Sequence, residues 1–186
     1  MRVGVIAIQG DFAKHLDSLR ALGIEGLEVR TPEDLALVDR AILPGGESTT
    51  VGLLMQRFGL GDALVRASQA GMPIWGTCMG MILLARSVEG RVDQYTLGLL
   101  DIEVRRNAFG AQVHSFEEPV EFAGLSEPVL GVYIRAPIVT TMGSGVEVLS
   151  RRDDQVVAVR QGNIVGTSFH PELTDDRRVH EWFVNL

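Results

Sequence analysis

The stretch Pro73-Ile74-Trp75-Gly76-Thr77-Cys78-Met79-Gly80 runs from a short apolar strand into a Gly-x-Cys-x-Gly turn. A strand that passes abruptly into a helix holds the central residue of such a turn in a strained conformation at the carboxyl edge of a sheet, and small flanking residues are needed to let the chain close. Gly76 and Gly80 meet that demand, and the helix predicted over Met81 to Ala85 starts at the cysteine. Its N-terminal dipole and free N–H groups favour thiolate over thiol, and the same N–H groups can hold an oxyanion. Cys78 is the only cysteine of the chain, so it is the candidate nucleophile. A lone cysteine also occurs as a buried small hydrophobe, and the elbow alone leaves both readings open.

Outward from this turn, short apolar runs alternate with helical spacing. Val3 to Ile8 reads as a strand, and Phe12, Leu16 and Leu19 then share one helix face that ends at Gly23. Glu28 to Arg30 and Ala41 to Leu43 read as the next strands. Ser48 is placed to cap a helix with the stripe Val51, Leu54, Met55 and Phe58, and a further helix runs from Gly61 to Ala70. Strands separated by helices pair in parallel, because parallel neighbours need crossover connections. From Leu97 onward the pattern changes to strands at Leu100 to Arg105, Val129 to Arg135, Val146 to Ser150, Val156 to Arg160 and Asn163 to Phe169. Connectors such as Gln161-Gly162 favour antiparallel hairpins there. A last helix, capped by Thr174 with Asp175 and Asp176 in its first turn, carries Val179, Trp182, Phe183 and Leu186. The expected fold class is α/β: one doubly wound, mainly parallel sheet with helices on both faces and antiparallel strands appended.

The late segment Ser168-Phe169-His170-Pro171-Glu172 supplies what a cysteine nucleophile needs. Pro171 biases His170 toward an extended backbone, in which residues two apart point the same way, so His170 and Glu172 can act together. The imidazole takes the thiol proton and the carboxylate orients the ring. Taken singly, His170 reads as a structural histidine and Glu172 as a solvated carboxylate; the three residues at the ends of two strands read as a triad. A zinc site from the same residues lacks a second cysteine or Cys-x-x-Cys spacing. The third element, Pro44-Gly45-Gly46-Glu47-Ser48-Thr49-Thr50, lets backbone N–H groups turn outward as an oxyanion hole or anion nest. It is not a phosphate loop, having neither the Gly-Lys-Ser/Thr ending nor a nearby lysine.

Whole-chain quantities narrow the class further. At 186 residues one domain is expected, burying roughly 70% of its extended-chain surface. A net charge of −7, with Arg105-Arg106, Arg151-Arg152 and Arg177-Arg178 scattered, argues against nucleic-acid and anionic-membrane partners. One cysteine forms no internal disulfide, so a reducing cytoplasm is the default compartment. No run approaches the roughly 20 apolar residues of a spanning helix, and a soluble protein is expected.

With these residues in view, the chain resembles the class I, triad-type glutamine amidotransferases, a flavodoxin-like fold family. Gln9-Gly10, Pro44 to Thr50, Arg106-Asn107-x-Phe109-Gly110, Gly131-x-x-Ile134-Arg135-Ala136-Pro137 and Ser168 to Thr174 are similar to the glutaminases that serve pyridoxal 5′-phosphate synthase. The resemblance implies a single glutaminase domain over residues 1–186 that uses no cofactor and no metal. It implies that Cys78, His170 and Glu172 are catalytic, that Gly46 and Met79 form the oxyanion hole, and that Gly46, Glu47, Ser48, Arg106, Ile134 and Arg135 bind L-glutamine. An arginine fork matches an α-carboxylate, and Glu47 suits the α-ammonium group. A barrel-shaped synthase subunit that receives the ammonia, in a hetero-oligomer, is the implied partner. Two positions depart from the family pattern: Met79 stands where a small residue is common, and Ala111 where arginine is common. The competing readings are a stand-alone γ-glutamyl cysteine hydrolase, an amidotransferase subunit of another pathway, and a non-catalytic binding domain.

Overall fold

The computed structural model describes residues 1–108 and 115–186. In chain order the elements are β1 (Arg2–Ile6), α1 (Phe12–Ala21), β2 (Glu25–Val29), α2 (Pro32–Leu35), β3 (Arg40–Leu43), α3 (Ser48–Arg57), α4 (Leu60–Gln69), β4 (Ile74–Thr77), α5 (Met79–Leu84) and β5 (Ala85–Val88). They continue with β6 (Leu100–Arg105), β7 (Phe116–Val120), β8 (Val129–Tyr133), β9 (Ile138–Met142), β10 (Glu147–Arg152), β11 (Gln155–Gln161), β12 (Ile164–Thr167) and α6 (Arg178–Val184), with a 3-10 turn at Pro171–Leu173 before α6.

The main sheet is ordered β2-β1-β3-β4-β12-β11-β9-β6-β5, with β10 on β11, and β7 and β8 form a separate two-stranded sheet. Pairing from β2 through β12 is parallel, and β11 joins β12 antiparallel. Alternation along the strands sorts side chains onto two faces. Val3, Val5, Ile42, Trp75 and Val165 face a cluster with Leu19 of α1 and Val179 and Phe183 of α6. Ile6, Ala41, Leu43 and Ile74 face the other, with Val51 and Met55 of α3, Leu64 of α4 and Leu83 of α5. Helices on both faces of a mainly parallel sheet are the doubly wound arrangement expected from the β–α alternation.

The departures have local causes. β1 ends at Ile6 rather than Ile8, and β2 occupies Glu25–Val29 because it pairs in register with β1, Arg2 opposite Glu25. α2, β5, β7 and β9 escaped the periodicity reading. Thr31 caps α2 in a reciprocal box with Asp34, whereas β7, Phe-Glu-Glu-Pro-Val, is too polar to read as a strand and gains order by pairing with β8. The strand expected over Val129–Arg135 therefore leaves the main sheet. Phe58 ends α3 at 60% exposure instead of lying in a buried stripe. The terminal helix begins after Arg177, not Thr174: the Thr174 hydroxyl accepts from the Asp176 N–H, and Asp176 in turn grips Arg178. No helix among the described residues is long and apolar enough to cross a membrane.

Candidate active site

Three adjacent parallel strands deliver the site. β3 pairs with β4 through Leu43 opposite Gly76, and β4 pairs with β12 through Thr77 opposite Thr167. Their carboxyl ends release, side by side, the Gly45-Gly46 turn, Cys78, and the segment leading to His170. The Cys78 N–H donates to the Thr167 carbonyl at 2.7 Å, and the His170 N–H donates to Val132 of β8 at 2.9 Å. Ligand crevices of open α/β sheets lie at the carboxyl ends of strands, and a cleft of about 440 Å³ opens here.

Cys78 has φ 50° and ψ −105° and directly precedes α5. This is the strained elbow expected from the sequence, and the glycines that permit it are explicit. A Cβ on Gly76 would stand 2.4 Å from the Gly80 carbonyl carbon, and one on Gly80 would stand 2.0 Å from the Leu43 oxygen. The thiol is turned toward the Ile134 carbonyl, 3.9 Å away. Met79 is the first residue of α5, so its N–H has no intrahelical acceptor, and it lines the cleft with Gly46.

His170 Nδ1 lies 2.7 Å from Glu172 Oε1 in a buried pair. The pair is not built on an extended stretch, as the sequence suggested; His170 has ψ 84°, and Pro171 starts the 3-10 turn that swings Glu172 back beneath the imidazole. Burial pulls the imidazole pKa down, but hydrogen bonds to Cys78 and Glu172, with their charges, raise it to about 10. Burial raises the Glu172 carboxyl, and the interactions with His15 and His170 more than offset it, to about 2. The arrangement can hold a proton on His170 beside the Cys78 sulfur.

Gly46, Glu47, Ser48, Arg106, Ile134 and Arg135 all line the same cleft. Glu47, not Ser48, caps α3: its carboxylate accepts from the Thr49 N–H at 3.0 Å and the Thr50 N–H at 2.8 Å, and these two bonds hold its pKa at about 2. It also faces Arg106 at 3.7 Å. The Ser48 hydroxyl donates instead to Gln94 Oε1, which accepts from Arg106 as well. Asn107 and Arg135 have φ near +49° and +48°. With Cys78, three of the four described non-glycine residues of positive φ line the cleft, and such strain concentrates at functional sites. Phe109, Gly110 and Ala111 lie outside the described residues. Among the described residues no group of three or more His, Cys, Asp or Glu side chains is arranged to hold a metal ion.

Sequence reading missed the layer behind the triad. His15 of α1 and His180 of α6 are both fully buried, with His15 Nδ1 3.0 Å from His180 Nε2. His15 Nε2 lies 3.3 Å from Thr77 Oγ1 and 3.5 Å from Glu172 Oε2. Burial lowers the pKa of both rings, that of His180 to about 3. One signal was available: His15 sits among Phe12, Leu16 and Leu19 on the apolar stripe, where a titratable side chain needs a buried partner.

Comparison with known proteins places the chain in a family. Residues 5–186 match the family described as SNO glutamine amidotransferase. The chain is 53% identical, over its whole length and that of the relative, to the pyridoxal 5′-phosphate synthase subunit PdxT of Herpetosiphon aurantiacus. It is 51% identical to the PdxT of Thermus thermophilus, covering 99% of this chain and 96% of that one. A solved structure described as a glutamine amidotransferase superposes with a TM-score of 0.95 at 48% identity, covering 98% of this chain and 97% of the other. The chain therefore belongs to the SNO glutamine amidotransferase family.

Proposed function

We propose that this chain hydrolyses the side-chain amide of L-glutamine at Cys78 and hands the ammonia to a partner subunit that builds pyridoxal 5′-phosphate. The reading rests above all on His170 sharing the cleft with the strained Cys78 while Glu172 holds it from behind at 2.7 Å. Cys78 sulfur attacks the amide carbon, and the Gly46 and Met79 N–H groups receive the oxyanion. His170 gives its proton to the departing nitrogen, which leaves as ammonia, and a γ-glutamyl thioester remains. Water, deprotonated by His170, then attacks the thioester; glutamate leaves and the sulfur returns to its resting form. Glu172 keeps the ring in one orientation through both halves.

The α-carboxylate of glutamine pairs with Arg106 and Arg135, whose guanidinium forks suit two oxygens. Glu47, ionised by its two backbone donors, faces the α-ammonium group. Ser48 and the Ile134 carbonyl complete the pocket wall.

The partner follows from the relatives named pyridoxal 5′-phosphate synthase subunit. We take it to be a barrel-shaped synthase chain, bound in a hetero-oligomer in a reducing cytoplasm where a lone thiol stays reduced. The test is glutamate release from glutamine with and without that synthase subunit. Release that rises on mixing and vanishes in Cys78→Ala supports the reading. Turnover that survives Cys78→Ala overturns the catalytic assignment, and a full rate without the partner favours a stand-alone hydrolase.

A further inference from the structure

Glu172 is a buried carboxylate with two oxygens, and the triad employs one. Oε1 is held by His170 at 2.7 Å. Oε2 is buried and, among the described residues, has no hydrogen bond of ordinary length. A buried carboxylate oxygen left without a donor is costly. A donor-capable group, His15 Nε2, stands 3.5 Å from it, on a side chain with no exposed surface.

We propose that His15 is a positioning residue for the Cys78–His170–Glu172 triad, its Nε2–H held against the second oxygen of Glu172 while it bridges to Thr77, the residue before the nucleophile. The inference rests on the triad reading above and extends it one layer inward.

The tautomer follows from the partners. An unprotonated Nε2 would set a lone pair against a carboxylate oxygen, so Nε2 carries the proton. Nδ1 is then an acceptor, and the group that faces it, His180 Nε2 at 3.0 Å, must donate. His180 Nδ1 is left bare, in keeping with its having no hydrogen-bond partner among the described residues. Donation then runs in one direction, from His180 to His15 to Glu172, toward the carboxylate that orients His170.

His15 is boxed by Trp75 edge-on, ring centroids 5.8 Å apart, and by His180 at 5.1 Å. The ionisable groups that bear on it are Glu172 from the 3-10 turn, His170 just before that turn, His180 from α6 and Asp11 from its own end of α1. Burial disfavours a charge on His15, so the ring acts as a neutral donor and not as a second base. Its two contacts lie on different elements, Thr77 on β4 and Glu172 in the turn after β12. Those elements carry the nucleophile and the base, so one rigid ring fixes the spacing between them.

Two experiments decide the matter. Long-range nitrogen–proton NMR on the unmodified chain at about pH 7, with four histidines to assign, reads the tautomers directly. The expected result is Nε2–H with bare Nδ1 at both His15 and His180. A proton on His15 Nδ1 with bare Nε2, or a charged His15, overturns the proposal. The second experiment is glutamine turnover with the synthase subunit bound. His15→Leu should lower kcat by about 10- to 100-fold, as loss of outer partners does elsewhere, with KM within about threefold. His15→Gln, whose amide nitrogen can stand in for Nε2, should restore most of the loss. Equal damage in both folded variants, or none in His15→Leu, overturns the proposal; should His15→Leu not fold, the tautomers decide alone. Failure of the triad reading looks different, because Cys78→Ala would then remain active.

Discussion

Gly45 presses its backbone against the catalytic imidazole, and adding one methyl group there tests the site with little disturbance elsewhere. A Cβ on Gly45 would lie 2.4 Å from His170 Cε1 and 3.2 Å from Nδ1. Ordinary contact begins near 3.4 Å, so the ring must retreat by about 1 Å. Glu172 resists that retreat from beneath through the 2.7 Å hydrogen bond. A misplacement of about 1 Å in a reacting group costs on the order of 100-fold in rate. Gly45 is not among the glycines of positive φ, so alanine fits the backbone and the collision falls on a side chain. Gly45→Ala should therefore cut kcat about 100-fold, measured as glutamate release with the synthase subunit present, while the thermal midpoint moves little. Gly145→Ala, whose Cβ would meet only Gln161 Nε2 at 3.8 Å, is the matched control. A folded Gly45→Ala protein with kcat within about threefold of the parent would refute the placement of His170 as the working base, since a 1 Å displacement of that base cannot be silent.

Gly80→Ala differs in kind, because its Cβ would stand 2.0 Å from the Leu43 carbonyl oxygen in β3. Backbone cannot yield there without opening the sheet, and a loss of about 3 kcal/mol should appear as a lower urea midpoint. Glu47→Ala removes the α3 cap on Thr49 and Thr50 and should cost about 1 kcal/mol, together with a raised KM for glutamine if Glu47 faces the ammonium group. Stability against pH should peak near 6.5, with the two limbs arising from different groups. His170, raised from 6.5 to about 10, stabilises below 6.5 and loses that contribution as pH climbs toward 10. His15 and His180, lowered from 6.5, resist protonation in the fold, so stability falls as pH drops below 6.5. Glu172, lowered from 4.5 to about 2, adds its loss as pH falls through that interval. Denaturant melts across this range check the shape, and His170→Gln should flatten the alkaline limb and, because His170 also helps to lower Glu172 and His15, weaken the acid limb as well.

What the sequence made legible was whatever depends on neighbours along the chain. The elbow at Cys78 could be read because its demand for Gly76 and Gly80 is local, and the β–α alternation of the first half could be read because each strand and helix carries its own period. The Glu47 cap was misassigned to Ser48 for a local reason too: both side chains can accept from the first N–H groups of α3, and the longer one reached them while Ser48 turned to Gln94. β7 and β9 were hidden because their strand character comes from partners distant in sequence, Val132 and Tyr133 for one and Arg105 and Val104 for the other. The members of the triad were legible, but not their placement. Its geometry required the parallel register of β4 with β12, a pairing between segments that no local pattern connects.

The inner histidines show the same limit most clearly, and they explain why the site is built on α1 and α6 as well as on loops. Burying a carboxylate under an imidazole strengthens their bond, because the surrounding dielectric is low. The same burial makes Glu172 expensive to keep ionised unless its second oxygen is also addressed. A side-chain donor from another element can do this with fixed geometry. α1 crosses that face of the sheet, and its buried face carries His15 at the position that meets the 3-10 turn. His15 in turn needs an acceptor's counterpart at Nδ1, which α6 supplies through His180. Each step inward exchanges one buried polar demand for a weaker one: an anion, then a neutral ring, then a bare ring nitrogen. That ordering, with charge next to the cleft and neutral rings in the core, is what lets a sheet edge carry an ionised pair on a buried foundation.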